Sequence, residues 1–341
     1  MQAMTPALVL CLAVLASGAV SDCTGGGMDE RTPEGQTESE RTVSEGEFRI
    51  VGVLEAEGDS FNPAVVTRLS GGDMLVYDAG SSLLLRYDST GSVATRYGAG
   101  AGAGPGERLR VVDIGEFESG EVWSFDQQNN VVNVFEAEGP LIRSITLQEP
   151  VHYLTARSAE RMVSLNPTVH RPFRFHGPDG NVTSAFGWLL DDPGMNSSPY
   201  VGRLLPLEDG GFAYLMLTAD VLKAWDNEGT LLWHRLMIDG FEAPGIYTEA
   251  EGSAYLEHPN GRSTITRIPL NASNGQIHAF VMNSTAEIVF IDTYDATDGS
   301  YVGSRRVPVT EAACMPRYVR GTSAWMVCRG PTLVEARIPA L

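Results

Sequence analysis

The sequence predicts an all-β fold, a six-bladed β-propeller with its ring closed by an N-terminal strand, and three observations carry that reading. A unit of about four short strands recurs at roughly 40–50 residues, the period of a propeller blade. Gly, Asn, Asp or Pro break the strand-like alternation about every 8–12 residues, which leaves no room for a long amphipathic helix. The last unit is one strand short, and a spare strand, Phe48 to Leu54, stands just ahead of the first.

Each unit reads as an apolar strand, a glycine-bearing turn, a strand rich in β-branched and aromatic residues, a polar loop, a third strand and a turn of the form Asp-x-x-Gly. In the first copy these are Val65-Val66, Ser70-Gly71-Gly72-Asp73, Met74 to Tyr77, Asp78 to Ser82, Leu83 to Tyr87 and Asp88-Ser89-Thr90-Gly91. The second copy gives Val111-Val112, Glu118-Ser119-Gly120-Glu121, Val122 to Phe125, Asp126 to Asn130, Val131 to Phe135 and Glu136-Ala137-Glu138-Gly139. Second strands begin at Met74, Val122, Met162, Phe212, Ile277 and Trp325, and the turn glycines Gly91, Gly139, Gly180, Gly229 and Gly299 advance in parallel with them. Two landmarks moving together argue against chance matches. The chain ends too soon after Trp325 for a fourth strand, so Phe48 to Leu54 is expected to fill that place, removing two exposed sheet edges.

Gly98 to Asp126 carries Gly104-Pro105-Gly106-Glu107, a strand and Gly120-Glu121-Val122-Trp123-Ser124-Phe125-Asp126, followed by Asn129-Asn130-Val131-Val132-Asn133-Val134-Phe135. This stretch resembles an NHL repeat of the exported bacterial type, clearly in the second unit, fairly in the first and fourth, faintly elsewhere. The resemblance implies a six-bladed propeller from a family whose roles run from extracellular binding to lyase and lactonase chemistry. It speaks for the fold more than for any function.

Charge narrows the partners. With 43 acidic against 24 basic side chains the net charge is −19, and the pI is near 4.7. Nucleic acid is disfavoured, because a phosphate backbone is met by a basic face. Lys223 is the one lysine, so Schiff-base chemistry has a single candidate. Residues 1–47 hold eight acids and two arginines, which leaves −13 on the remainder.

Three parts are expected: a signal peptide (1–22), a flexible acidic tether (23–47) and the propeller (48–341). Ala7 to Ala16 form an apolar run followed by Ser17-Gly18-Ala19, the pattern of an h-region and cleavage zone, although Met1 to Pro6 lacks Lys and Arg. Cys23 resembles the lipidation site of bacterial lipoproteins, while Asp22 departs from that pattern. The product is expected outside the cytoplasm, in the periplasm, at the cell surface or beyond, lipid-anchored through Cys23 or freely secreted. Thr24 to Glu47 is rich in Gly, Glu, Ser and Thr with no aromatic residue, so it cannot offset its ordering entropy by burial.

Cys314 and Cys328 are placed symmetrically about Gly321 in the turn Arg320 to Ser323, which puts them opposite each other in an antiparallel hairpin. In an oxidising compartment they are expected to form a disulfide.

Propeller topology locates the site. The loops after each second strand and the connections between blades share one face, the top, and the glycine turns share the other. The step from Phe212 to Ile277 is the longest and places extra residues within Asp239 to Arg262, including Phe241, Tyr247, Tyr255 and His258, on the top face. Arg110, His152 and Arg267 are expected at the channel mouth, with Arg203 and Arg317 slightly further down. Positive groups gathered at one mouth of an acidic body would focus an anionic ligand, whereas arginines paired with neighbouring carboxylates would not.

The expected function is therefore an exported binding module acting through its top face on an unidentified protein or small anionic ligand, as a monomer touching membrane only through lipid at Cys23. The alternatives are a metal-dependent lyase or lactonase in the channel and a structural domain of a surface assembly. No cofactor is expected: the six histidines are scattered, no H-E-x-x-H occurs, and a divalent metal enters only through the family resemblance. Asp78 and Asp126 match the family's recurrent aspartate and are expected to hold loop amides. Gly98 to Gly106 is glycine-rich but leads into a strand, so it offers phosphate no helix N-terminus.

Overall fold

The computed structural model describes residues 40–54, 60–169, 171–189, 202–217, 220–238, 245–248, 254–257, 265–283, 289–307, 314–329 and 332–341. They are all-β and form six four-stranded blades. Blade one is Pro63–Arg68, Met74–Asp78, Leu83–Tyr87 and Val93–Tyr97, and blade two is Val111–Glu116, Val122–Asp126, Val131–Phe135 and Leu141–Thr146. Blade three is Tyr153–Ser158, Arg161–Leu165, Phe173–His176 and Val182–Phe186, and blade four is Gly202–Pro206, Phe212–Met216, Val221–Trp225 and Leu231–Leu236. Blade five is Ile265–Ser273, Gln276–Asn283, Val289–Asp295 and Tyr301–Val307. Blade six is Met315–Arg320, Ser323–Cys328 and Thr332–Arg337, with Arg49–Leu54 antiparallel to Thr332–Arg337 as the outer strand.

The core follows from this arrangement. A blade packs both its faces against neighbours, so its middle strands cannot alternate apolar and polar, and Met74–Asp78, Val122–Asp126 and Phe212–Met216 are buried throughout. Each hydrophobic cluster straddles one blade interface. Phe173 meets Trp225 at 4.5 Å between blades three and four, while Val66, Met74 and Tyr87 meet Tyr318 and Leu333 between blades one and six. Each fully buried Phe, Leu or Met contributes about 1.5–3 kcal/mol.

The recurrent aspartates stitch the top loops. Asp126 is fully buried and accepts from the amides of Leu109 (2.6 Å), Arg110 (3.2 Å), Gln128 (2.9 Å) and Asn129 (3.1 Å). Asp78 plays the same part for Asn62, Gly80 and Ser81. These carboxylates are consumed by the backbone.

The glycine run is explained by Arg108. Its side chain is fully buried, with the guanidinium 4.8 Å over Phe135 and bonded to Ser124 Oγ and the carbonyls of Tyr97 and Ser82. Burial pushes its pKa down to about 10. Gly98, at φ 98°, lies where a Cβ would come within 1.9 Å of Arg108 Nη1, so only glycine lets the backbone pass.

Cys314 and Cys328 are bonded, with Cα atoms 3.9 Å apart. The pairing depends on a β-bulge: Arg320↔Ser323 and Tyr318↔Trp325 share one register, and Pro316↔Met326 and Met315↔Val327 lie one residue off it. The extra residue is Arg317. Without it, the register of the turn would place Cys314 opposite Arg329 rather than Cys328.

The described part of the segment ahead of Phe48 is docked on the propeller. Val43–Ser44 pairs in parallel with Tyr301–Val307 as a fifth strand of blade five, and Arg41 binds Asp292 through Nε (3.0 Å) and Nη2 (2.8 Å). Composition missed this because one arginine and two backbone pairs suffice to dock a polar segment when a buried carboxylate awaits it. Residues 1–39, including Cys23 and the expected signal peptide, lie outside the described residues.

Candidate functional site: the central channel

Inner strands of all six blades line one cavity of about 240 Å³ on the propeller axis. Aliphatic residues line it, including Val65, Ile114, Leu154, Ala156, Leu204, Ile268 and Leu270, together with Thr67, Thr155, Asn271 and Tyr318, so that its exposed surface is about equally polar and apolar. Five charged residues also line it: Arg68, Asp113, Glu116, Arg203 and Arg317.

Two of these are consumed at the bottom of the inner strands. Arg68 Nε donates to Gly72 O at 3.0 Å, and Glu116 accepts from Ser70 N at 2.6 Å. The other three form a cluster nearer the strand starts. Arg203 Nη2 donates to Asp113 Oδ1 at 2.9 Å and to Val112 O at 2.8 Å. Val112 is itself the extra residue of a bulge between Val111 and Asp113. The second Asp113 oxygen accepts from Leu154 N at 2.9 Å, so the carboxylate ties blade two to blades three and four. Burial raises the Asp113 pKa to about 6, against the opposing pull of Arg203 and the Leu154 amide.

Arg317 faces the same space. It is the bulged residue of its strand, and bulges re-aim side chains where regular pairing would fix them. Its Nε is buried with no hydrogen-bond partner, and no carboxylate pairs with it among the described residues. Burial lowers its pKa, and the charge of Arg203 lowers it further, so two guanidinium groups and one carboxylate, that of Asp113, line the same cavity.

The backbone positioning is sequence-driven. Gly202 precedes Arg203 because a Cβ there would come within 2.3 Å of the Tyr214 ring and 2.5 Å of Leu215 O. The Arg203 guanidinium also lies 5.7 Å from the Tyr153 ring centroid.

The predicted residues are thus divided. Arg203 and Arg317 share the channel. Arg110 and His152 lie outside that cavity, in an open groove between blades two and three with Gln127, Gln128, Asn130, Gln148 and Glu149. Their position follows from the chain path: both precede a first strand, where the backbone crosses the top face, and Asp126 and Leu165 O hold their amides there. The His152 pKa is lowered by burial and by Arg110. Arg267 lies on the inner strand of blade five opposite Val281, and Tyr247 on the hairpin Gly245–Thr248 with Ala254–Glu257, opposite Tyr255; their side chains lie outside the description. Phe241 and His258 fall outside the described residues altogether. Asp113 was missed, although an acid inside the apolar run Val111-Val112-Asp113-Ile114 was a readable signal.

Other candidates are structural. Lys223 is fully buried within blade four, and its Nζ donates to Trp188 O at 3.2 Å. Ser164 Oγ meets His176 Nε2 at 2.7 Å, but both are buried between strands and His176 Nδ1 is held by Gly180 O. Asn271, which heads the glycosylation-type triplet Asn271-Ala272-Ser273, is buried, its side-chain amide bonded to both N and O of Val319. The residues do not fit a divalent ion: among those described, no three His, Cys, Asp or Glu side chains converge, and Asp113 is opposed by Arg203.

Neither a scan against protein-family models nor a search of curated proteins finds a match. Among solved structures the chain is similar to virginiamycin B lyase from Staphylococcus aureus (12% identity, 85% of this chain and 99% of that one, TM-score 0.55). It is also similar to an inferred exported protein of Bacteroides fragilis (9% identity, 86% and 95%, TM-score 0.60) and to a member of the DUF4221 family from Bacteroides vulgatus (11% identity, 86% and 98%, TM-score 0.55). At these identities the likeness establishes the six-bladed propeller and nothing of the chemistry.

Proposed function

We propose that this protein is an exported binding propeller that receives a small anionic ligand through the top face of its ring, held in the channel by Arg203 and Arg317. The observation that carries the reading is the Arg317 guanidinium: half-buried on a bulge, facing a cavity, with its Nε enclosed and without a hydrogen-bond partner, and paired with no carboxylate among the described residues. An enclosed donor left without an acceptor is costly, and an anionic partner would complete it. Arg110, on the face where the inner strands begin, extends the positive approach to the mouth, with the neutral His152 beside it and with Arg267 and Tyr247 as further members of the surface. The apolar leader, the Cys314–Cys328 bridge and the exported structural neighbour support an oxidising, extracytoplasmic setting.

The test is a thermal-shift and calorimetric screen of anions against the protein and against Arg203→Gln/Arg317→Gln. Stabilisation of the parent by an anion, lost in the double variant, is expected. Anions that bind both equally, or neither, would remove the channel from consideration.

A further inference from the structure

We infer that the channel takes a small organic monocarboxylate, its carboxylate seated between Arg317 and Arg203 and its apolar body against Ile114, Ile268, Pro269 and Leu270. This rests on the anion-binding reading above and narrows it in charge and in shape.

Charge counting sets the first limit. Arg203 and Arg317 bring two positive charges, and Asp113, 2.9 Å from Arg203, brings one negative charge. The surplus matches one negative charge. A second would lie beside Asp113 in a site with few competing dipoles, where like charges repel strongly. Arg68 and Glu116 add nothing to the surplus, since they are opposite in sign and tied to turn backbone. Geometry favours a planar carboxylate, because guanidinium groups bind it through two parallel N–H donors.

The walls set the second limit. Beyond the five charged residues most of the lining residues are Val, Ile, Leu, Ala and Pro, with Thr67, Thr155, Asn271 and Tyr318 among them. Asn271 is spent on Val319, so it offers a hydroxylated ligand no amide. Apart from Thr67, Thr155 and Tyr318 the uncharged lining offers a sugar acid's hydroxyl groups no other hydroxyl partner, so several of them would be left unpaired at a cost for each. A cavity of about 240 Å³ suits a single small molecule rather than a polymer end.

Calorimetry with hexanoate and benzoate, against hexanamide, succinate and inorganic phosphate, tests this on the whole protein and on Arg317→Gln and Asp113→Asn, with circular dichroism as the fold check. The two monocarboxylates are expected to bind the parent at least about tenfold more tightly than hexanamide, and Arg317→Gln to lose roughly ten- to a hundredfold. Asp113→Asn is expected to move preference toward succinate and phosphate, and this arm stands alone if Arg317→Gln does not fold. Tighter binding of succinate or phosphate by the parent would overturn the monocarboxylate assignment and leave the anion reading standing. Equal binding of hexanamide and hexanoate, unchanged affinity in folded Arg317→Gln, or no binding of any probe would overturn both.

Discussion

Arg203 of blade four and Asp113 of blade two are hydrogen-bonded at 2.9 Å although blade three stands between them in the ring. Blade three joins the link through Leu154 N, which donates to the second Asp113 oxygen. The carboxylate is therefore a knot among three inner strands, held where burial opposes its ionisation.

That conflict gives a pH dependence with a definite sign. Asp113 has its folded pKa raised to about 6, above the value of about 3.9 for an unfolded chain, so the native state binds the proton more tightly. Stability from this group is fully present below about pH 4 and is lost as pH rises through 6, by up to about 3 kcal/mol. Asp113→Asn cannot titrate. Urea melts at pH 4 and pH 7 should show the difference between parent and variant moving by that amount in favour of the variant; a pH-independent difference would mean Asp113 titrates as an ordinary carboxylate.

The Arg108 cradle separates two kinds of glycine. Gly98→Ala meets both a left-handed φ and the Arg108 guanidinium, which cannot retreat because it is fully enclosed. Gly120→Ala meets a similar φ of 88° with nothing within 4 Å. The expected losses are about 1 kcal/mol for Gly120→Ala and about 3 kcal/mol or more for Gly98→Ala, read from denaturant midpoints. Equal losses would mean the conformation alone, and not Arg108, demands glycine at position 98.

Asp126→Ala is expected to cost about 2–4 kcal/mol, since it strips the amides of Leu109, Arg110, Gln128 and Asn129 of a shared buried acceptor at once. Asp126→Asn keeps one oxygen and should cost less. A loss confined to the Arg110 and His152 groove, seen as faster amide exchange there without a change in global melting, would place Asp126 in the loop alone and not in the stability of the blade.

The repeat was legible because a blade must restate its turn chemistry each time: the third strands Leu83–Tyr87 and Val131–Phe135 fall where the sequence predicts them. The cysteine symmetry about Gly321 was legible for a reason the sequence hides. The register of the turn alone would pair Cys314 with Arg329, and the bulge at Arg317 restores the match. The channel was legible in part. The expected strand positions found Arg203 and Arg317 but could not divide them from Arg110 and His152, because the division depends on where a chain leaves a strand to cross the top face. Asp113 escaped because its partners are contributed by other blades.

The docked N-terminal segment makes the last prediction. Asp292 is fully buried, and its acceptors are used by Arg41 and by Ser304 Oγ at 2.5 Å, while Ser304 N donates to Thr42 O at 2.9 Å. Val43–Ser44 covers the outer edge of blade five, and Arg49–Leu54 forms that of blade six, so one stretch of chain spans two blades. Removing the arginine alone strands a buried carboxylate, so Arg41→Met is expected to cost about 3 kcal/mol. Asp292→Asn combined with Arg41→Met should cost less than the sum of the two single changes, with a coupling of about 1–3 kcal/mol in a double-mutant cycle read by thermal or urea melts. Proteolysis should cut Arg41→Met ahead of Arg49 while the parent resists. Zero coupling and unchanged cleavage would mean that the segment rests on blade five without holding it to blade six.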